Sequence, residues 1–200
     1  MTGSTSFILL HTTRFGENSI VLHTLSKEYG RKGFVVRSVS KKMMSLLLPL
    51  NILEADVTDS GKPGLLPVRN ISIGRPLMGI RNNLFKNTMT MFLSEVLYRV
   101  VKEGTAEKGL YEWCERQIML LDAMETDFSN FHLRFLLELS IALGFSPQSE
   151  DLRPFLGDNQ PFIEQFMSTS FAESMLMPLS GILRNEICEG VLRYIEYHLE

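Results

Sequence analysis

Two hundred residues, 44% of them hydrophobic, suffice for one ordinary domain or two small ones with a buried core, and they exclude wholesale disorder. The formal net charge of −3 hides a split: residues 1–80 carry ten Lys/Arg against five Asp/Glu, a balance of +5, and residues 81–200 carry ten against eighteen, a balance of −8. Opposite signs in the two halves suit either two surfaces with two jobs or a basic half followed by acidic helices that merely aid solubility. No apolar run approaches the ~20 residues of a membrane helix. The opening Met1-Thr2-Gly3-Ser4-Thr5-Ser6 lacks the basic region of a signal peptide. Cys114 and Cys188 supply no disulfide framework, so a reducing cytoplasm is expected.

The first half reads as strands. Phe7–His11, Ser19–Leu25 and Gly33–Val39 are short runs rich in apolar and β-branched residues. The glycines of Tyr29-Gly30-Arg31-Lys32-Gly33 suit a hairpin turn between the last two. Leu50–Val57 partly alternates, Asp59–Gly64 is a dense turn signal, and Leu65–Ile73 reads as a fifth strand. Five short strands joined by turns suit a small closed barrel, which removes exposed edges.

The period changes near Arg75-Pro76, where we place the boundary between a domain at 1–76 and a helical domain at 77–200. Leu84–Val101 repeats apolar residues at helical spacing, with Gly104 as its stop. Leu110, Cys114, Ile118 and Leu121 repeat the pattern. Phe131–Leu143 is apolar on several faces and reads as a central buried helix. Residues 146–168 read as a loop with a helical turn, Ser168–Met177 as a short helix, and a last helix starts near Ser180.

The strongest functional signal is Lys27–Lys42. Lys27, Arg31, Lys32, Arg37, Lys41 and Lys42 face one acid, Glu28, and the commonest partner of such an excess is a phosphate backbone. Arg31 and Lys32, placed at the turn, would reach farthest; Arg14 and Arg69 would extend the patch. Single-strand binders stack bases on aromatic rings. Tyr29 is the better platform, Phe34 reads as core, and Phe15 is left open. Met43 and Met44 fit core filling or an adaptable contact surface.

Chemistry is not indicated. His11, His23, His132 and His198 form no metal-ligand spacing. Ser38 and Ser40 beside Lys41 lack the orienting third group of a nucleophile. Gly61-Lys62-Pro63-Gly64 is a turn, not a phosphate loop. No cofactor and no metal is expected. An adapter whose basic barrel binds an acidic protein is the alternative to DNA binding; an enzyme with a diffuse site is the weaker rival.

Several pieces, in order along the chain, carry a resemblance to a known family: Ile8-Leu9-Leu10-His11, Gly16-Glu17-Asn18-Ser19, Glu28-Tyr29-Gly30, Leu48-Pro49-Leu50, Ile52-Leu53-Glu54, Phe92–Leu97 and Asn130–Leu136. Together they resemble the bacterial DNA repair and recombination mediator family RecO, in its Bacteroidetes-type form. The resemblance implies an α+β chain: an N-terminal OB-fold β-barrel followed by an all-helical domain. It implies binding of single- and double-stranded DNA, annealing of complementary strands, contact with the C-terminal tail of single-stranded DNA-binding protein, and a partnership with RecR to load RecA, without a membrane and at the nucleoid. A tail pocket would draw on Arg99, Lys102, Arg116 or Arg134. The sequence departs from the family around Ser38–Met44, where the connection is shorter and a Gly-x-Arg near Ser38-Val39-Ser40 is absent. Two cysteines cannot form the four-cysteine zinc site of many members. The chain is also expected to stop inside its last helix, short of the usual length.

Overall fold

The computed structural model describes residues 2–61, 63–103, 109–145 and 147–199. Five strands, β1 (Thr2–Phe15), β2 (Ser19–Ser26), β3 (Gly30–Arg37), β4 (Ile52–Thr58) and β5 (Leu66–Arg75), close into a barrel in the order β1-β2-β3-β5-β4. This is the OB-type barrel expected, and the helices that follow make the chain α+β. β1 is long because it pairs twice, through Thr2–Ile8 with β4 and through Phe7–Phe15 with β2. A register shift between Leu9 and His11 lets it pass from one neighbour to the other. There the Leu9 N–H donates to the Asn51 carbonyl (3.0 Å) and the Leu50 N–H to the Leu9 carbonyl (2.8 Å).

Alternation along the strands sends Phe7, Leu9, Leu22, Phe34, Leu53 and Val57 inward, all of them buried. The Phe7 ring meets Phe34 edge-on, with centroids 5.4 Å apart. Closure is a short parallel contact in which Phe34 pairs with Leu66 and Val35 with Pro67.

The hairpin lies three residues earlier than the sequence suggests. Ser26 pairs with Gly30, so Lys27-Glu28-Tyr29 is the turn. Gly30 takes the positive φ (+61°) that the turn requires. Gly33 is a strand residue, and a Cβ there would lie 2.5 Å from Leu65 Cδ2. Arg31 and Lys32 are therefore strand residues, not turn residues. Within the turn expected at 59–64, the Gly61 N–H donates to Asp59 Oδ1 (2.7 Å); Lys62 lies outside the described residues.

After β3, Ser38 adopts φ +59° and Ser40 caps a one-turn helix, α1 (Lys41–Met44), its hydroxyl accepting from the Met43 N–H at 3.1 Å. Beyond the barrel come α2 (Met78–Arg81), α3 (Leu84–Val100) and α4 (Leu110–Ala123). Asn83 caps α3 by accepting from the Lys86 N–H at 3.1 Å. The Gly104 stop lies outside the described residues. Residues up to 122 form one compact unit, so these helices belong with the barrel.

Two devices seat them. Arg81 Nη2 donates to the Pro49 carbonyl and to Asn51 Oδ1 (2.7 Å each), its Nε to Asn51 Oδ1 (3.1 Å) and its Nη1 to Asn87 Oδ1 (2.9 Å). One planar fork thus joins the loop before β4 to α2 and α3. Gly79 lies so close to the end of α4 that a Cβ would sit 2.0 Å from the Asp122 carbonyl oxygen, while Asp122 Oδ1 accepts from the Ile80 N–H at 2.7 Å.

Residues from 123 onward form a second compact unit. It contains α5 (Phe131–Ala142), α6 (Ser149–Leu156), α7 (Gln160–Ser168), α8 (Phe171–Leu176) and α9 (Gly181–Leu199). α5 is the buried helix expected, with Phe131, Leu133, Phe135, Leu136, Leu137 and Leu139 inside. The stretch read as a loop with a helical turn is more helical than that: it folds into α6, a 3₁₀ turn (Gly157–Asn159) and α7; Ser146 lies outside the described residues. Pro161 sits in the first turn of α7, where a missing N–H costs nothing. Asp151 and Gln148 close a capping box at the start of α6. Gly190 lets α9 approach α6, since a Cβ there would meet the Phe155 carbonyl at 2.9 Å. His132 is held down at about 4 by burial and then by the nearby Arg184. Among the described residues no helix is long and apolar enough to cross a membrane.

Gly79→Ala is expected to destabilise by about 1–3 kcal/mol, because backbone must move to admit the methyl group. Arg81→Lys removes the fork and is expected to cost about 1.5–3 kcal/mol. Urea unfolding of each variant measures both losses.

Candidate nucleic-acid interface

Register sorts the predicted cations. Phe15, Ser19 and Arg37 lie abreast on β1, β2 and β3, and Arg14 is paired with Ile20 one step inward. α1, which carries Lys41 and Lys42, begins four residues after Arg37. Arg14, Arg37, Lys41 and Lys42 thus gather at one end of the three-stranded meander, and all four are exposed; Arg14, abreast of Ile20, is on the barrel-mouth side of the sheet, whereas Arg37 and Phe15 are on its outer side. Lys27 and Lys32 lie at the other end. Lys27 is exposed in the turn; Lys32 is half-buried opposite Thr24, whose hydroxyl donates to the Lys32 carbonyl at 2.9 Å. Five residues of strand, roughly 17 Å, separate Lys32 from Arg37. The cations therefore form two groups, not one continuous stripe.

Arg69 stands apart. It is two residues beyond the β3–β5 closure on β5, as Arg37 is on β3, and it faces Asp56 on β4. The Asp56 carboxylate accepts from Asn70 Nδ2 at 2.7 Å. Among the described residues, none of Arg14, Lys27, Lys32, Arg37, Lys41, Lys42 or Arg69 forms an ion pair within 4.0 Å. Glu28, the acid nearest the hairpin cations, is engaged by the Thr5 hydroxyl.

Arg31 corrects the sequence expectation. It is 5% exposed and does not project. Odd positions of β3 point outward, and here the outer face is covered by α3: the guanidinium carbon lies 5.0 Å from the centre of the Tyr98 ring. Tyr98 also stacks on His11 (4.8 Å, 25°) and meets His23 edge-on at 5.1 Å. His23 is held below its ordinary value by burial, then by Arg31 and His11, and its Nε2 shares a hydrogen bond with Thr13 Oγ1 (3.1 Å). Burial lowers Arg31 too, against the attraction of Glu103. Arg31 Nε and Nη1 are buried without a hydrogen-bond partner. Its role in the fold is to stack on α3, and no phosphate reaches it in this arrangement.

The aromatic ranking also changes. Tyr29 is half-buried, with its ring perpendicular to Phe34 at 6.1 Å, and it packs against the barrel core. Phe34 is core, as its strand position implied. Phe15 is 59% exposed, between Arg14 and the turn and abreast of Arg37. Its place at a strand end beside Gly16 was the signal for this. A cavity of about 370 Å3 opens at the same end, lined by Arg14, Glu17, Asn18, Ile20, Val39 and Met44 among others. Sequence reasoning gave no hint of it, because its walls come from three separate elements.

At the exit of β3, Ser38 holds a left-handed backbone and Ser40 caps α1. Lys41 and Lys42 on α1 then add two exposed cations. Of the helical cations, Arg99 pairs with Glu95 (2.7 Å) and Arg134 with Glu138 (2.9 Å), Arg134 also donating to the Phe166 carbonyl at 3.1 Å. Cys114 and Cys188 are free and buried; burial raises both thiols, Cys188 to about 11. Among the described residues no three His, Cys, Asp or Glu side chains converge to hold a metal ion.

Arg31→Met keeps the stem and discards an incompletely paired buried charge. Its urea midpoint is expected at or above that of the unaltered protein, with the salt dependence of oligonucleotide binding unchanged. A slope lower by about one would return Arg31 to the phosphate contacts.

Comparison with known proteins agrees with this geometry. The family model for the N-terminal part of recombination protein O matches residues 1–74, and that for its C-terminal part matches residues 81–151. The DNA repair protein RecO of Phocaeicola vulgatus is 31% identical over 150 residues, covering 73% of this chain and 62% of the relative. That of Flavobacterium johnsoniae is 30% identical over 153 residues (74% and 64%), and that of Porphyromonas gingivalis 29% over 221 residues (96% and 90%). The match thus spans a little under two thirds of the first two relatives' length and nearly all of the third's. With both family models aligned in order and the barrel they require in place, the chain belongs to the RecO family of DNA repair and recombination proteins.

Proposed function

We propose that this chain is a non-enzymatic, DNA-binding recombination mediator. Its barrel binds single- and double-stranded DNA through the sugar–phosphate backbone and screens repulsion between complementary strands, so that their bases pair. The observation that carries this is the group of exposed, unpaired cations around one end of the β1–β2–β3 meander: Arg14 at the barrel mouth, Arg37 beside Phe15 on the outer side, and Lys41 and Lys42 on α1. Cations held this way displace counterions from DNA, and an exposed ring offers a face for an unpaired base. Lys27 and Lys32 form a second contact on the same hairpin, and Arg69 an outlying one. Arg31 and Tyr29 act through packing.

The family and the names of the relatives support a role in DNA repair. In keeping with that family, the chain works with RecR and with the C-terminal tail of single-stranded DNA-binding protein, and through them helps load RecA. The alternative, an adapter whose basic barrel binds an acidic protein, draws on the same cations but needs no exposed Phe15.

Fluorescence anisotropy with a labelled oligonucleotide across a salt series separates the two. Binding is expected to weaken steeply with salt. Arg37→Ala/Lys41→Ala/Lys42→Ala should lower the logarithmic slope by roughly 2, at about 0.7 per lost phosphate contact on a single strand. Lys27→Ala/Lys32→Ala should lower it less. Absence of binding even at low salt would favour the adapter.

A further inference from the structure

We propose that the cavity at the β1–β2 turn is a subsite for one unpaired nucleobase. The proposal rests on the DNA-binding reading above and adds what the cationic end recognises besides phosphate. At about 370 Å3 the cavity falls within the range of about 300–1,000 Å3 typical of small-molecule sites. Ile20 and Val39 give it an apolar floor, and the exposed Met44 gives it a polarisable wall. A site for a bare anion has no use for such a floor, whereas the flat face of a base does.

The polar groups lie at the rim. The Asn18 main-chain carbonyl accepts from the Ser38 N–H (2.8 Å) and the Val39 N–H (3.4 Å), which pins the turn to the exit of β3 and fixes the cavity's shape. The Asn18 side-chain amide has no hydrogen-bond partner among the described residues. It carries both donors and an acceptor, the complement of a base edge. The Glu17 carboxylate adds an acceptor beside it, and Arg14 a cation with no ion-pair partner. Lys41 and Lys42, exposed and without ion pairs on the one-turn helix that carries Met44, are placed to hold the flanking phosphates. A base stacked in a duplex cannot enter, so the subsite selects an unpaired one.

The test compares two single strands of equal length and charge, one intact and one abasic at its central positions, by anisotropy at fixed salt. The unaltered protein is expected to bind the intact strand at least fivefold more tightly, with equal salt slopes for the two. Val39→Phe, which fills the cavity, and Asn18→Ala, a change at an exposed turn position that leaves the main-chain bonds in place, should each reduce that preference. Neither should change binding of the abasic strand. Equal affinity of the unaltered protein for both strands would overturn the subsite while salt-dependent binding left the DNA reading intact. A preference that survives both variants would also overturn it, by placing the base contact elsewhere. Loss of salt-dependent binding to either strand would instead remove the DNA reading, and the subsite with it.

Discussion

Closure of the barrel rests on a seam only two pairs long. Phe34 meets Leu66 and Val35 meets Pro67 in a parallel contact, and among the described residues no longer pairing joins β3 to β5. A parallel seam of this length gains little from hydrogen bonds, so it is held by side chains: Phe34 beneath it in the core and Leu65 folded over Gly33 on the outside. A side chain at residue 33 would press on the Leu65 methyl group, which would have to swing aside, whereas the backbone angle there makes no demand for glycine. Once the seam is shut, the strand directions are set, and with them the levels at which Arg37 and Arg69 emerge.

The barrel's relation to its adjoining helices shows two ways of keeping a guanidinium out of water. Arg81 is half-buried and satisfied: Pro49, Asn51 and Asn87 take its donors in a planar arrangement that only arginine matches. Arg31 is more deeply buried and only partly satisfied, held by the face of Tyr98 and the field of Glu103. The first case is directional and fixes where α2 and α3 sit on the loop before β4. The second is weakly directional and lets α3 cover the outer face of the hairpin without specifying an angle. Charge within the barrel unit is thus divided between cations spent on packing and cations left to solvent, and only the latter are available to a polyanion.

Much of this was legible in the sequence. Five strands, their order along the chain and the change to helical period near Arg75 followed from alternation and turn residues. The hairpin register did not, because Gly30 and Gly33 are equally good turn residues on paper. Only the paired register, with Gly33 opposite His23 and Gly30 opposite Ser26, shows that Gly33 belongs to the strand. The three-residue shift then carried Arg31 from a tip to a buried face, so a local error became a functional one. Residues 146–168 read as less helical than they are because Pro161 and Gly157 signal a loop, whereas Pro161 occupies a helix start and Gly157 the junction between α6 and the 3₁₀ turn. At the other end of the hairpin, Phe15 and Asn18 lie on a turn whose neighbours, Val39 and Met44, are twenty or more residues away. No periodicity connects them.

The double pairing of β1 has a bearing on how the molecule assembles. Its contacts with β2, and those of β2 with β3, span a few to about twenty residues, whereas the β1–β4 and β3–β5 pairs bridge thirty-two to fifty-six. Chain entropy opposes the distant pairs more, so the meander of the first three strands is the cheaper nucleus and the last two strands are the costlier addition. Arg14, Phe15 and Arg37 all lie on that early meander. An excursion that detached β5 would leave their mutual spacing intact, and the most exposed cationic end of the barrel is also the part whose geometry least depends on completing it.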